Sequence, residues 1–243
     1  MTYCVGMRLK EGMVFMSDTR TNAGVDNVST FRKMFTWEVP GERIVTLMTA
    51  GNLATTQALV GLLDERSKAP EDRNPSILEA PSMFQIARLV GDTLKEIIAD
   101  VNDGGPEASS SFNATVIVGG QIKGSEPRLF LVYPEGNFLE TSEDTPFFQI
   151  GETKYGRPIL VRAYHADMSF EDAIKLLFVS FDSTIKANLS VGLPLHLQVI
   201  KEDECAVYQQ RKIELDDSYF EEISNGWGDA LRKAFDSLPD FKF

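Results

Sequence analysis

The chain has 243 residues, of which 43% are hydrophobic and 25% are charged, and this composition is typical of a folded globular protein. Its 36 acidic residues outnumber its 24 lysines and arginines, which gives a formal net charge of -12. Because binding to phosphates or to an anionic membrane surface requires a basic face, this charge argues against nucleic-acid and membrane partners.

Cysteine and histidine are scarce: the chain has Cys4, Cys205, His165 and His196. The cysteines form no CxxC pair and no glycine-rich phosphate loop occurs, so we expect no structural zinc site and no cofactor. The first residues lack the charged start and long apolar core of a secretory signal. No apolar run approaches the roughly 20 residues that span a bilayer. We therefore expect a cytoplasmic protein.

The first fifty residues predict β-strands. Apolar, β-prone segments alternate with turn residues and cover 3–9, 13–18, 33–39 and 43–50. The segment 19–30 between the second and third strands is polar and rich in turn formers. The two hairpin-like pairs indicate an antiparallel sheet.

Helical periodicity follows these strands. It predicts one helix from Asn52 to about Arg66 and a second that begins at Ser82, where Gln85 three residues later completes a capping box. Behind this cap an apolar stripe recurs mostly every three or four residues: Phe84, Ile86, Val90, Leu94, Ile97 and Val101. Residues 102–111 (NDGGPEASSS) are predicted to form a loop.

Strands and helices then recur in the second half of the chain. The predicted strands are 112–118, 128–133, 137–140, 147–150, 195–201 and 205–210. A helix capped by Ser169 separates the last two strands from the others, and an amphipathic helix spans 217–235. Because the elements occur in blocks, the predicted fold class is α+β, with two stacked antiparallel sheets and helices outside. We predict one domain over residues 1–243, in which 211–243 form a C-terminal helical extension.

Thr2 stands directly in front of the first predicted strand, although chain starts are usually loose. If Met1 is removed, Thr2 carries a hydroxyl and a free α-amine, whose reference pKa near 7.7–8.0 leaves a useful fraction neutral. That amine can accept the hydroxyl proton while the oxygen attacks, so one residue can supply both nucleophile and base. A strand that begins at Tyr3 would hold the chain start rigidly.

Two charged residues and a glycine complete this hypothesis. Asp18 ends the second predicted strand and Lys33 begins the third, so antiparallel pairing can bring both beside the chain start. A nearby ammonium favours alkoxide character and keeps the α-amine from full protonation, and a carboxylate would hold that ammonium. The corner at residues 50–52, where a strand end turns into a helix N-terminus, can offer a backbone N–H to a developing oxyanion. Each of these residues alone is more often a surface or turn position, so spacing alone leaves both interpretations open.

Several segments resemble proteasome β-type subunits, which are N-terminal-nucleophile hydrolases. They are Thr2, SDTR at 17–20, the Lys33 strand, TAG at 49–51, FNATVIVGG at 112–120, RLFLVYPEG at 128–136, and SVG at 190–192 followed by strand 195–200. These segments occur in order from residue 2 to about 210. The form MTYCVGMRL…FMSDTRTNAGVDN…FRKMF most closely resembles the bacterial ancestral β-subunits, the Anbu branch of that family.

The resemblance implies a four-layer αββα sandwich, the N-terminal-nucleophile hydrolase fold. It also implies roles for the residues singled out above. Thr2 would be nucleophile and base, Asp18 and Lys33 its charge partners, and Gly51 the oxyanion donor.

The residues that support the site depart from the family pattern. The family uses a serine near 151–153 and an aspartate three positions before the late serine, which is Ser190 here. Glu152 stands where the first serine is expected, and Ala187 stands three positions before Ser190. Asn188 is the adjacent polar residue. We expect Glu152, Asn188 and Ser190 to form the supporting set, with an activity that is weaker or more restricted than that of ordinary family members.

The leading hypothesis is a proteasome-type threonine peptidase that hydrolyses peptide bonds in a peptide or protein substrate. Two alternatives remain open at this point: an amidase of the same fold that acts on small amides, and a non-catalytic oligomeric scaffold. Because the family acts in rings, the resemblance also implies self-association into a ring or an open helical homo-oligomer. The sequence identifies no unfoldase partner.

Overall fold

The computed structural model describes residues 2–22, 28–68, 76–103 and 112–243. The strands in these ranges are β1 Tyr3–Leu9, β2 Gly12–Asp18, β3 Arg20–Asn22, β4 Val28–Thr30, β5 Met34–Val39, β6 Arg43–Gly51, β7 Ala114–Ile122, β8 Arg128–Val132, β9 Phe138–Glu140, β10 Phe147–Gly151, β11 Leu195–Lys201 and β12 Val207–Ile213. The helices are α1 Leu53–Lys68, α2 Met83–Asp103, α3 Arg157–Ala163, α4 Phe170–Ala187 and α5 Ser218–Asp236.

Two five-stranded antiparallel sheets form the centre of the molecule. The first has the strand order β10-β1-β2-β11-β12 and the second has the order β5-β6-β7-β8-β9. Their facing sides share one apolar cluster, in which Cys4 and Phe15 of the first sheet meet Met34, Met48 and Ile117 of the second. The sheets are therefore stacked face to face, and the alternation of apolar residues along each strand buries a second face against helices.

The helices cover the two outer faces. On the second sheet, α1 and α2 bury one set of apolar side chains: Leu59, Leu63, Ile86, Val90 and Leu94. On the first sheet, α3, α4 and α5 bury another: Leu160, Leu177, Phe178, Phe181 and Phe220. The layer order is helix, sheet, sheet, helix, which confirms the predicted αββα fold.

The structure also differs from the predictions in detail. The turn-rich segment 19–30 contributes two short strands, β3 and β4, which pair as a separate hairpin. The helix α3 was not predicted. Phe84, placed in the buried stripe of α2, is 43% exposed and rests edge-on against Phe138 with the ring centres 5.2 Å apart.

Parts of three predictions lie outside the described residues: Met1, residues 23–27 of the turn-rich segment, and residues 104–111 of the loop predicted after α2. The N-terminal end of that loop is helical instead, because α2 continues to Asp103. In the part of the chain that the structure describes, no helix is long and apolar enough to cross a membrane.

Candidate active site

Thr2 is anchored where three strands meet. Tyr3 opens β1, which pairs with β2 on one side and β10 on the other. The Tyr3 N–H donates to Oδ1 of Asp18 at 2.9 Å, and the Thr2 carbonyl accepts from the Glu152 N–H at 2.6 Å. Both polar atoms of the peptide unit that follows Thr2 are therefore bound, which anchors the start of β1. The Thr2 side chain is half-buried.

Asp18 and Lys33 form a buried ion pair directly behind the chain start. Nζ of Lys33 lies 2.8 Å from Oδ1 of Asp18, and these two side chains are 6% and 0% exposed. Lys33 also donates to the Arg20 carbonyl at 2.5 Å. Burial raises the pKa of Asp18, while the charge and hydrogen bond of Lys33 and the Tyr3 N–H oppose that rise. Removing either partner would leave an uncompensated buried charge.

A cavity of about 470 Å³ opens beside this pair, and its volume is that of a site for a small ligand or a few residues of a peptide. Its wall includes Thr2, Lys33, Thr49, Gly51 and Gly151. Thus the residue predicted as nucleophile, its predicted cation and the predicted oxyanion donor share one cavity. Among the described residues, no cluster of three His, Cys, Asp or Glu side chains is arranged to hold a metal ion.

Gly51 occupies a corner that tolerates no side chain. It ends β6 with a φ of 123°, a conformation that favours glycine. A Cβ there would lie 2.4 Å from the carbonyl oxygen of Asn113, the residue that directly precedes β7. The next residue, Asn52, begins α1 by accepting the Ala54 N–H on its side-chain oxygen at 3.0 Å. Gly51 therefore stands between a strand end and the positive end of a helix.

The predicted supporting residues are joined by hydrogen bonds. Nδ2 of Asn188 donates to Oε2 of Glu152 at 3.0 Å, and Oδ1 of Asn188 accepts the Ser190 N–H at 2.9 Å. The other oxygen of Glu152 accepts the Lys154 N–H at 3.1 Å. Glu152 is only 8% exposed. A carboxylate–amide pair, Glu152 and Asn188, thus lies where the family resemblance implies a serine and an aspartate. Ala187, which stands at the expected position of that aspartate, is exposed at the end of α4.

Two residues around the site were not identified as functional candidates from the sequence. The Tyr3 hydroxyl lies 2.7 Å from Oγ of Ser180 and accepts Nε2 of Gln149 at 2.6 Å, and burial raises its pKa to about 12. Arg20 donates to the Leu189 carbonyl at 2.9 Å while its own carbonyl accepts from Lys33. The partners of both residues lie far away in the chain, so no local pattern predicts these contacts. The one signal in the sequence is position, since Tyr3 follows Thr2 and Arg20 stands two residues after Asp18.

Comparisons by sequence and by structure both find similarity to proteasome subunits. A sequence model of the family Proteasome subunit matches residues 2–193. Proteasome subunit beta 2 of Pyrobaculum calidifontis is 27% identical over 198 residues, which are 81% of this chain and 87% of the relative.

Two solved structures are similar over nearly the whole chain. Anbu (ancestral beta-subunit) from Yersinia bercovieri is 45% identical with a TM-score of 0.92, and the match covers 99% of this chain and 100% of that one. The helical assembly of the Anbu complex from Pseudomonas aeruginosa is 43% identical with a TM-score of 0.92, and the match covers 99% and 98%.

Proposed function

Because this chain belongs to the proteasome subunit family, in its Anbu branch, we propose that it is a threonine peptidase whose nucleophile is Thr2 after removal of Met1. The observation that carries the proposal is the cavity whose wall includes Thr2, Lys33 and Gly51. The buried Asp18–Lys33 ion pair behind this wall supplies the fixed cation that the chemistry needs.

In the proposed first half-reaction, Oγ1 of Thr2 attacks the carbonyl carbon of a peptide bond while its proton moves to the Thr2 α-amine. The negative charge that develops on the carbonyl oxygen is stabilised by the Gly51 N–H. The resulting ammonium then gives its proton to the leaving amine as the C–N bond breaks. An ester between Thr2 and the acyl part of the substrate remains.

Water completes the reaction. It attacks the ester carbonyl and passes one proton to the α-amine, which returns it to Oγ1 when the C–O bond breaks. The products are a carboxylic acid and the original Thr2. Lys33, held by Asp18, stabilises negative charge on Oγ1 when it attacks and again when it leaves. Glu152, Asn188 and Ser190 act as positioning residues for the loops on either side of Thr2.

The proposal is tested by substituting Thr2 in protein whose N-terminus is verified by intact mass. A peptide vinyl sulfone should label the wild-type protein and Thr2→Ser, which keeps the hydroxyl, but not Thr2→Ala. Labelling that persists in Thr2→Ala would reject Thr2 as the nucleophile. A panel of peptides and small amides, assayed with the same variants, separates a peptidase from an amidase.

We also propose that the chain self-associates, because a relative 43% identical over nearly the full length forms a helical assembly. The surface that supports this proposal is the C-terminal apolar surface, defined by the exposed side chains of Leu231, Phe235, Leu238, Phe241 and Phe243. Clustered exposed apolar side chains are typical of interaction surfaces, whereas isolated ones are ordinary. A second copy of this chain is the proposed occupant.

A further inference from the structure

The cavity beside Thr2 has an unusual charge for a protein this acidic. Acidic residues exceed basic residues by 36 to 24 along the chain. Among the described residues, however, no aspartate or glutamate lines this cavity, whereas Arg32 and Lys33 both do. The local charge is therefore opposite in sign to that of the whole molecule.

The two cations of the cavity differ in what they can bind. Lys33 is buried and its ammonium is already bound to Asp18 and to the Arg20 carbonyl. Arg32 is exposed, and within the described ranges it forms no ion pair with a carboxylate. Of these two, Arg32 is the cation that has capacity to bind a charged group of a substrate.

The guanidinium of Arg32 is also oriented. Its Nε donates to the Met34 carbonyl, and its Cζ lies 5.5 Å from the centre of the Phe35 ring. These contacts use Nε and one face of the plane. Among the residues that the structure describes, nothing binds the two terminal nitrogens, which form the fork that binds a carboxylate in a bidentate manner.

We infer that Arg32 selects substrates in which an aspartate or glutamate supplies the scissile carbonyl. This inference rests on the proposed function, because it is the acyl part of the substrate that becomes esterified to Thr2. The side chain nearest the reacting carbonyl then lies in the cavity that Thr2 and Arg32 share. Within this cavity an acidic side chain gains a charge-assisted pair, a neutral one gains none, and a basic one is repelled by both cations.

The experiment uses three peptide vinyl sulfones that differ only in the side chain next to the electrophile, which is that of glutamate, glutamine or leucine. The expected second-order labelling rate at Thr2 is at least about tenfold higher for the glutamate probe than for the glutamine probe, given the usual strength of hydrogen bonds to charged groups. Arg32→Gln should abolish this preference, and Arg32→Lys should retain part of it. The control Arg88→Gln removes one exposed cation on α2, away from the cavity, and should leave the preference intact.

The possible outcomes separate this inference from the proposed function. Labelling of Thr2 at equal or higher rates by the glutamine or leucine probe would overturn the selectivity and leave the nucleophile in place. A glutamate preference that survives in folded Arg32→Gln would equally overturn the role of Arg32. Absence of labelling by all three probes, or labelling that persists in Thr2→Ala, would overturn the proposed function and this inference with it.

Discussion

Glu152 and Asn188 form a pair in which each polar group has a defined partner. Glu152 accepts hydrogen bonds from Asn188 and from the Lys154 N–H, and Asn188 accepts one from the Ser190 N–H. The Glu152 N–H in turn donates to the Thr2 carbonyl at 2.6 Å. This pair connects the turn after β10 with the loop after α4, so it fixes the surroundings of Thr2 from two directions.

We predict that exchanging the two groups preserves the pair. Asn188→Asp alone places two carboxylates about 3 Å apart, so it should lower the free energy of unfolding by about 2 kcal/mol. Glu152→Gln with Asn188→Asp restores one donor and one acceptor, keeps the acceptors for Lys154 and Ser190, and should recover most of that loss. Urea unfolding of the wild type and the three variants gives the coupling free energy. Additive effects of the two substitutions would contradict the importance of the pair.

Tyr3 makes the stability of the molecule sensitive to high pH. Its hydroxyl is buried among Ser180 and Gln149, and burial raises its pKa to about 12, whereas the unfolded chain ionises near 10. A raised folded-state pKa means that the stabilisation is fully present below pH ~10 and is lost as the pH rises toward 12. Over that interval the free energy of unfolding should fall by up to about 3 kcal/mol.

This prediction is checked with Tyr3→Phe. The variant should be less stable than the wild type near pH 8, because Gln149 and Ser180 lose a partner, but the gap should narrow between pH 10 and 12. Tyr155→Phe, a substitution at a partly exposed ring, serves as the control and should leave the alkaline loss unchanged. Urea unfolding at successive pH values gives the free energy of unfolding of the wild type and of both variants. A gap between wild type and Tyr3→Phe that stays constant with pH would show that the Tyr3 hydroxyl does not titrate as described.

At the level of elements, the end of β10 determines where β1 begins. Gly151 pairs with Tyr3 in the sheet register and has a φ of 84°. A Cβ at this position would lie 1.9 Å from the Thr2 carbonyl oxygen. The close approach of the two backbones therefore requires glycine and brings the Glu152 N–H to the Thr2 carbonyl.

Gly151→Ala should consequently displace Thr2. Gly124 is a matched control, because its φ of 79° is similar but a Cβ there would contact nothing within 4 Å. Both substitutions carry the strain of a positive φ, about 1 kcal/mol, whereas Gly151→Ala should lower the free energy of unfolding by at least about 2 kcal/mol more. Labelling of Thr2 by a vinyl sulfone should be lost in Gly151→Ala and retained in Gly124→Ala. Equal effects of both substitutions on stability and labelling would refute this role of Gly151.

Most long elements could be predicted because each buries a periodic apolar stripe. The cap of α4 is an example, since Ser169 accepts the Asp172 N–H at 3.1 Å as the sequence pattern predicts. The short helix α3 has one buried residue, Leu160, and Pro158 near its start, so it has no stripe to detect. The strands β3 and β4 have only three residues each, most of them polar, and their pairing comes from tertiary context.

The candidate site was predictable to a similar extent. The sequence correctly predicts that Asp18 and Lys33 meet, but through antiparallel pairing of their strands, whereas β2 and β5 lie in different sheets and the ion pair joins one sheet to the other. The hydrogen bond between Glu152 and Asn188 joins residues 36 positions apart on a strand end and a helix end, which no local pattern encodes. Tyr3 and Arg20 were missed because the residues that they contact, Ser180 in α4 and Leu189 directly after it, lie far away in the chain.

For the whole molecule, the position of α5 bears on both domain organisation and assembly. Phe220 is buried near the start of α5, and its ring centre lies 5.8 Å from that of Phe178 in α4. The Asp217 side chain caps α5 by accepting the Phe220 N–H at 2.9 Å. These contacts favour the proposal that residues 211–243 extend a single domain, although the first of them, 211–213, end β12 and the helix of the extension begins only at Ser218. The far end of the helix has few such contacts and carries the C-terminal apolar surface.

We therefore predict that Leu231→Gln with Phe235→Gln weakens self-association without unfolding the chain. Both side chains are at least half exposed, so their loss should change the free energy of unfolding of the dilute protein by less than about 0.5 kcal/mol. If a neighbouring copy covers them, the association constant should fall at least about tenfold, which sedimentation velocity over a concentration series measures. Leu139→Gln, which removes an equally exposed side chain on β9, is the control. Unchanged sedimentation of the double variant would show that the copies meet elsewhere, because the apolar end of α5 would then contribute nothing to assembly.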